Sequence, residues 1–318
     1  MSEHATIEKP APPVRVLPAR QRSRGGRRGD TRLAVWLMLP AAVVLMVVVG
    51  YPVVRAVYLS FFSDGISGSY FIGLRNYTDA LFGYPSSEFW AAFWNTVFFT
   101  VVTVTFEIVL GFLMALIMNR AFRRGRGLIR ASILVPWAIP TAVTAVLWRW
   151  IFQAGGIANS LTHSNVLWLG QEWPAKWAIV LGDTWKNAPF VGLLILAGLQ
   201  IIPGDLYEAA SIDGAGVFKR FRAITLPLVK PALLVATLFR LLDVLRIFDL
   251  PQIFTGGANN TTTLSMLAYR SSIGDLKYGY GSALSTLTFI FIFVVALFFV
   301  KVLGANVVQT QQPKVANR

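Results

Sequence analysis

Long apolar runs alternate along this chain with short segments of charged and turn-forming residues. The runs lie near 33–59, 93–119, 128–152, 177–201, 232–254 and 282–304, each close to the roughly 20 residues that a bilayer core requires of a helix. The pattern therefore predicts an all-α membrane protein with six transmembrane helices. The first run, beginning at Leu33, is too long for the apolar core of a signal peptide and ends in no convincing small-x-small cleavage site, so it is read as a span. Residues 1–32 are rich in Pro and Arg and read as a disordered cytoplasmic tail. Residues 33–304 form one domain with an ordered inner loop at 204–231, and 305–318 are a C-terminal tail.

Composition agrees, with 55% hydrophobic and only 14% charged residues, where a soluble domain carries roughly a quarter charged. The net charge of +14 is not evenly spread. Residues 1–32 carry +5, Arg120 to Arg130 another +5, residues 204–230 +1 and the tail from Lys301 +3, whereas the loops near 63–92, 153–177 and 255–281 sum to −1. Basic charge on alternate loops follows the positive-inside rule and speaks against a nucleic-acid partner. It places both termini, Arg120–Arg130 and the 204–231 loop in the cytoplasm.

Catalytic chemistry is thinly represented. There is no cysteine, and the histidines are His4 and His163. No GxxxxGK[ST] phosphate loop, GxGxxG turn or HExxH pair occurs. No catalytic residue, metal site or cofactor is expected in this chain.

The spans nevertheless contain Glu107, Arg149, Asp183, Lys186, Arg240, Asp243, Arg246 and Asp249. Each costs roughly 2.5–3.5 kcal/mol at the bilayer centre unless it is paired or faces water. Arg240, Asp243, Arg246 and Asp249 recur every third residue with alternating sign, which on one helix makes a stripe of neighbours able to pair. A self-neutralising ladder and the lining of a hydrophilic path both fit. In the third run, Pro136-Trp137-Ala138-Ile139-Pro140-Thr141 interrupts the helix, and the freed carbonyls must be buried in protein or meet water. Both a broken helix and a plain kink fit here. Asp183, Lys186 and Asn187 in the fourth run are either interfacial or deep.

The inner loop has its own pattern. Asp205 followed by Glu208 reads as a capping box opening a short helix. Gly214 and Gly216 punctuate it, and a second helix from Val217 sets Phe218, Phe221 and Thr225 opposite Lys219, Arg220 and Arg222 until Pro227 and Pro231 stop it.

Within that loop, Glu208-Ala209-Ala210, Gly214 and Ile224-Thr225-Leu226-Pro227 stand at the spacing EAA-x3-G-x9-I-x-L-P. This resembles the EAA motif of binding-protein-dependent ABC importer permeases. Asp213-Gly214-Ala215, Gly73-Leu74-Arg75-Asn76-Tyr77, Trp94-Asn95-Thr96, Ala197-Gly198-Leu199-Gln200 and Thr255-Gly256-Gly257 resemble its carbohydrate branch, the maltose-type permeases. The Arg- and Pro-rich tail is similar to that of mycobacterial-type trehalose importer subunits. The resemblance covers essentially 33–304.

The resemblance implies the type I ABC importer permease fold in the inner membrane. It also implies a second homologous permease, two ATPase subunits that carry the ATP and Mg, an extracytoplasmic sugar-binding lipoprotein, and import of a sugar, a disaccharide such as trehalose. Glu208, Ala209, Ala210, Asp213, Gly214, Phe218 and Phe221 would then dock on the ATPase. Trp137, Thr141, Asp183, Asn187, Phe190, Asp243, Arg246 and Asp249 would line the substrate path, an aromatic face stacking on the sugar ring while polar groups bind its hydroxyls. The competing reading is an ion-coupled secondary sugar transporter using Asp243, Arg246 and Asp249 as a relay.

Overall fold

The structure, a computed structural model, describes residues 26–64, 68–120 and 126–301. Most of the basic tail, residues 121–125 between the second and third apolar runs, and the C-terminal tail lie outside them. The chain divides into two units, Met1–Val54 and Arg55–Arg318. Described residues of the first unit form α1 (Gly26–Leu45), a wide π-helical turn at Met46–Gly50 and the start of α2 (Tyr51–Leu59).

In the second unit α2 ends and is followed by α3 (Arg75–Phe82), α4 (Ser86–Arg120), α5 (Arg126–Ala138), α6 (Thr141–Phe152), α7 (Ile157–Thr162), α8 (Glu172–Gln200), α9 (Asp205–Ile212) and α10 (Val217–Arg220). After a π-helical turn at Phe221–Thr225 come α11 (Leu226–Val244), α12 (Asp249–Thr255), α13 (Leu264–Tyr269) and α14 (Tyr278–Phe299). Among the described residues the sole β-type pairing is an isolated bridge, Phe62 with Phe71.

Five stretches are long and apolar enough to cross a membrane unaided: Val35–Leu59, Ser86–Asn119, Glu172–Gln200, Val217–Val244 and Tyr278–Phe299. A sixth span requires Gly127–Ala138 and Thr141–Phe152 together, which meet at a bend of 88°. The third span is thus a broken helix rather than a mild kink. Pro136 and Pro140 remove two backbone donors on either side of the bend, and Pro140 takes an extended ψ of 140° before α6 begins.

The fifth span departs from the sequence reading at both ends. Pro227 and Pro231 do not stop a helix, since Val217–Val244 continues as one element long and apolar enough to span a membrane. The π-helical turn makes this feasible: the Leu226 amide donates to the Phe221 carbonyl, widening the helix just before Pro227. The helix then ends ten residues earlier than the apolar run, and α12 starts afresh at Asp249. Arg240, Asp243, Arg246 and Asp249 therefore do not share one helical stripe. The expected capping box is also absent, because Gly204 occupies the N-cap of α9 and no side chain caps it.

The helix α8 organises the packing. It is the most buried span, and its longest neighbour is α4. Close approach depends on glycine: a Cβ on Gly111 would stand 2.7 Å from Val191 Cγ1 and 2.9 Å from the Ala188 carbonyl, the small-residue contact expected of membrane helices. Two apolar clusters result. One gathers Val104, Ile179, Val180, Val244 and Leu250, and the other Ala115, Met118, Val191, Ile195 and Ala236. A third joins Ala80, Phe89 and Leu284 near α3 and α14.

Candidate functional site: a polar cavity beside the broken helix

On each of α4, α8 and α11 a charged residue lies between a residue of the first cluster and one of the second, in that order along α4 and α8 and in the reverse order along α11. Glu107 lies between Val104 and Ala115, Asp183 between Val180 and Val191, and Arg240 between Ala236 and Val244. These three charges consequently meet in a layer flanked by apolar clusters on both sides. Arg240 Nε donates to Glu107 Oε2 and Nη2 to Glu107 Oε1, both at 2.7 Å, and Nη2 also reaches Asp183 Oδ2 at 3.0 Å. Its Nη1 pairs with Asp243. Glu107 is fully buried and Arg240 nearly so, which suits a guanidinium, whose planar fork matches a carboxylate at two points.

Asp183 Oδ1 also accepts from Asn187 Nδ2 at 2.9 Å. Asp183, Lys186 and Asn187 are buried midway along α8. One turn from Asp183, Lys186 points at the bend in the third span. Its Nζ donates to the Ile139 carbonyl at 2.7 Å and more weakly to that of Trp137 at 3.4 Å. The ammonium therefore supplies donors to carbonyls at the C-terminal, negative end of α5, where the helix breaks off at the bend.

A cavity of about 140 Å³ opens on this network, lined by Thr141, Asp183, Lys186, Asn187, Arg240, Asp243, Val244, Arg246, Ile247, Phe248, Asp249 and Leu250. Six of the eight residues expected along a substrate path are among them: Thr141, Asp183, Asn187, Asp243, Arg246 and Asp249. The two aromatics are not. Trp137 and Phe190 stack on each other, with centroids 5.3 Å apart and planes 15° off parallel, outside the lining. One face of each ring is thus spent on the other, while Trp137 remains 44% exposed. Asp243 and Arg246 are mostly exposed at the cavity and face each other at 3.8 Å.

Glu107 and Lys186 were visible in the sequence only as charges within spans; the structure pairs the first with Arg240 and bonds the second to carbonyls at the bend. Arg149, the other open case, is exposed on α6 away from the network.

At the other end of α8, Gly214 has φ of +74°, a conformation open to glycine at little cost, and turns the chain between α9 and α10. Glu208, Ala209, Asp213 and Gly214 are exposed, as is Phe218 at 75%, and Ala210 is half-buried. Phe221 instead faces inward, edge-on to Phe112 at 5.6 Å, and Tyr207 shares a 3.0 Å hydrogen bond with Thr225. Tyr207 thus ties α9 to the π-helical turn, which packs on α4 through Phe221, while one side of the α9–α10 knob stays bare.

The sequence family described as binding-protein-dependent transport system inner membrane component matches residues 107–310. The chain belongs to this family of inner-membrane permeases. The permease is 42% identical over 283 residues to the trehalose/maltose transport system permease protein of Thermococcus litoralis, covering 86% of this chain and 94% of that one. It is 40% identical over 286 residues to the trehalose transport system permease protein of Mycobacterium tuberculosis, covering 88% and 92%. In fold the permease matches a bacterial ABC transporter involved in import of the acidic polysaccharide alginate, with a TM-score of 0.74 at 21% identity over 87% of this chain and 97% of that chain. The type I importer fold and a transport role follow, and an ion-coupled relay loses its basis.

Proposed function

We propose that this permease forms, with a second homologous permease, the pathway by which a disaccharide such as trehalose enters the cytoplasm, driven by ATP hydrolysis in two separate ATPase subunits. The observation that carries the reading is the cavity beside the broken third span. It sets carboxylate, amide, ammonium and guanidinium groups around a space bounded by the end of one helix and the start of another, an arrangement suited to sugar hydroxyls. The two relatives whose names include trehalose support that choice of sugar.

In this reading the termini and the α9–α10 knob face the cytoplasm. Glu208, Ala209, Ala210, Asp213, Gly214 and Phe218 meet the ATPase, while Phe221 fixes the knob to α4 so that a push on it reaches the spans. An extracytoplasmic binding protein delivers the sugar from the opposite side. ATP and Mg belong to the partner chains. The test is reconstitution: proteoliposomes holding both permeases, the ATPases and the binding protein should accumulate trehalose against a gradient when ATP is supplied. Uphill uptake by this chain without any ATPase would overturn the proposal.

A further inference from the structure

A second cavity, of about 500 Å³, lies beside the α9–α10 knob and has both apolar and polar walls. Leu116, Val217, Phe218 and Phe221 supply the apolar surface, Arg220 a cation, and Tyr207 and Thr225 a pair of hydroxyls. Its depth follows from the spans. Leu116 is in the last turn of the membrane-spanning stretch Ser86–Asn119, and Val217 opens the stretch Val217–Val244. Phe112 and Phe221, edge-on at 5.6 Å, hold these two ends side by side. The cavity therefore sits where both stretches leave the apolar layer, at the level of lipid headgroups. Its polar groups are not all spent on the protein. The Arg220 side chain is partly buried and makes no hydrogen bond or ion pair among the described residues. Tyr207 and Thr225 share one hydrogen bond of 3.0 Å, which uses one of their two O–H protons and leaves the other to donate. No carboxylate lines the cavity. Lys219, Arg220, Arg222 and Lys230 are the ionic residues between Val217 and Pro231, and no Asp or Glu occurs between Glu107 and Glu172. Asp205, Glu208 and Asp213 of α9 are exposed and outside the lining.

We infer that this cavity binds an anionic phospholipid of the adjoining leaflet, with an acyl chain on Leu116, Val217, Phe218 and Phe221 and the phosphate on Arg220 and the remaining hydroxyl proton. A soluble anion would satisfy the guanidinium but leave the apolar walls in water, where Val217 is 61% and Phe218 75% exposed. A zwitterionic lipid would cover those walls but bring a further cation among Lys219, Arg220 and Arg222. An anionic amphiphile answers both needs: its chain removes apolar surface from water, and its phosphate pairs with the planar guanidinium fork. Phe218 also belongs to the surface proposed for the ATPase, so the lipid must be shown in the assembled importer.

The experiment places the complex of both permeases with the ATPases in lipid nanodiscs. Phosphatidylglycerol or phosphatidylcholine with a photoactivatable group on the acyl chain is added at equal mole fraction, and the adducts are mapped by mass spectrometry. Adducts should fall on Leu116 and on Val217 to Phe221, with a yield about fivefold higher for the phosphatidylglycerol probe, the order expected of one basic contact with an anionic headgroup. Arg220→Gln should bring the two probes to parity at these residues. Lys219→Gln, at an exposed position outside the lining, should keep most of the difference. Val217→Trp fills the cavity from an exposed position and should suppress both probes there. Equal yields of the two probes in the wild type, an unchanged difference in Arg220→Gln, or adducts confined to other parts of the chain would overturn the proposal. Displacement of the probe by excess glycerol phosphate would assign the cavity to a soluble phosphate and overturn the lipid. No readout depends on sugar uptake, so the result leaves the transport reading untouched in either case.

Discussion

Glu107 and Arg240 stand 133 positions apart and meet in a buried, two-pronged ion pair, both hydrogen bonds 2.7 Å long. Because the pair is flanked by two apolar clusters, its members depend on each other for charge compensation. Glu107→Ala should leave Arg240 with Asp183 and Asp243 but without its fully buried partner, costing about 3–5 kcal/mol. The expected result is a lower Tm and lower membrane abundance of the purified importer. The double change Glu107→Leu with Arg240→Leu should recover part of that loss, since removing both charges also removes their desolvation cost. Equal stability of wild type and Glu107→Ala in a thermal melt would contradict the pairing.

Lys186 connects the cavity to the bend in the third span. Lys186→Met keeps the stem but leaves the Ile139 carbonyl without its donor, a loss of about 1–3 kcal/mol concentrated at the hinge. Amide exchange should rise around 137–144 while α4 and α14 remain protected, and the trehalose transport rate should fall. Unchanged exchange in that window would show that the ammonium does not hold the bend.

Gly111 tests the α4–α8 contact. Its hypothetical Cβ would meet Val191 and the Ala188 carbonyl of α8 at less than 3 Å, and a backbone oxygen cannot rotate away. Gly111→Ala should therefore force the helices apart at a cost of about 1–3 kcal/mol. A melting temperature equal to that of the wild type would show that the helices approach less closely than described.

At the knob, Gly214→Pro removes the positive φ, and Glu208→Arg reverses the charge on the exposed side of α9. Both should abolish ATP-driven uptake without preventing membrane insertion, and the ATPase should no longer copurify. Phe218→Ala should weaken the same association, by about 1.5–3 kcal/mol if the ring is fully buried on docking. Retention of the ATPase by all three variants would show that this surface is not the docking site.

Much of this architecture is legible in the residue pattern, and what is not has specific causes. The spans announce themselves through length and apolarity, and Gly214 marks its own turn. The boundaries of the fifth span do not, because apolar residues continue from Val244 through Ile247 and Leu250 although the helix stops. The prolines at 227 and 231 look like terminators until a π-helical turn accommodates them. Six cavity residues could be anticipated from charge and family spacing. The Glu107–Arg240 pair could not, since nothing local relates residues 133 apart. Nor does anything local announce that Trp137 and Phe190 stack on each other.

The absence of cysteine from the chain permits the most direct test of the claim that the cavity beside the broken helix holds sugar. In the assembled importer carrying Thr141→Cys, the rate of modification by a small, neutral thiol reagent is measured with and without trehalose. Tyr84→Cys, at a fully exposed loop position, serves as the control. Occupancy of the cavity should slow modification at 141 by about tenfold when trehalose is present at roughly ten times its Kd, and leave the rate at 84 unchanged. Equal modification rates at 141 with and without the sugar would contradict the assignment.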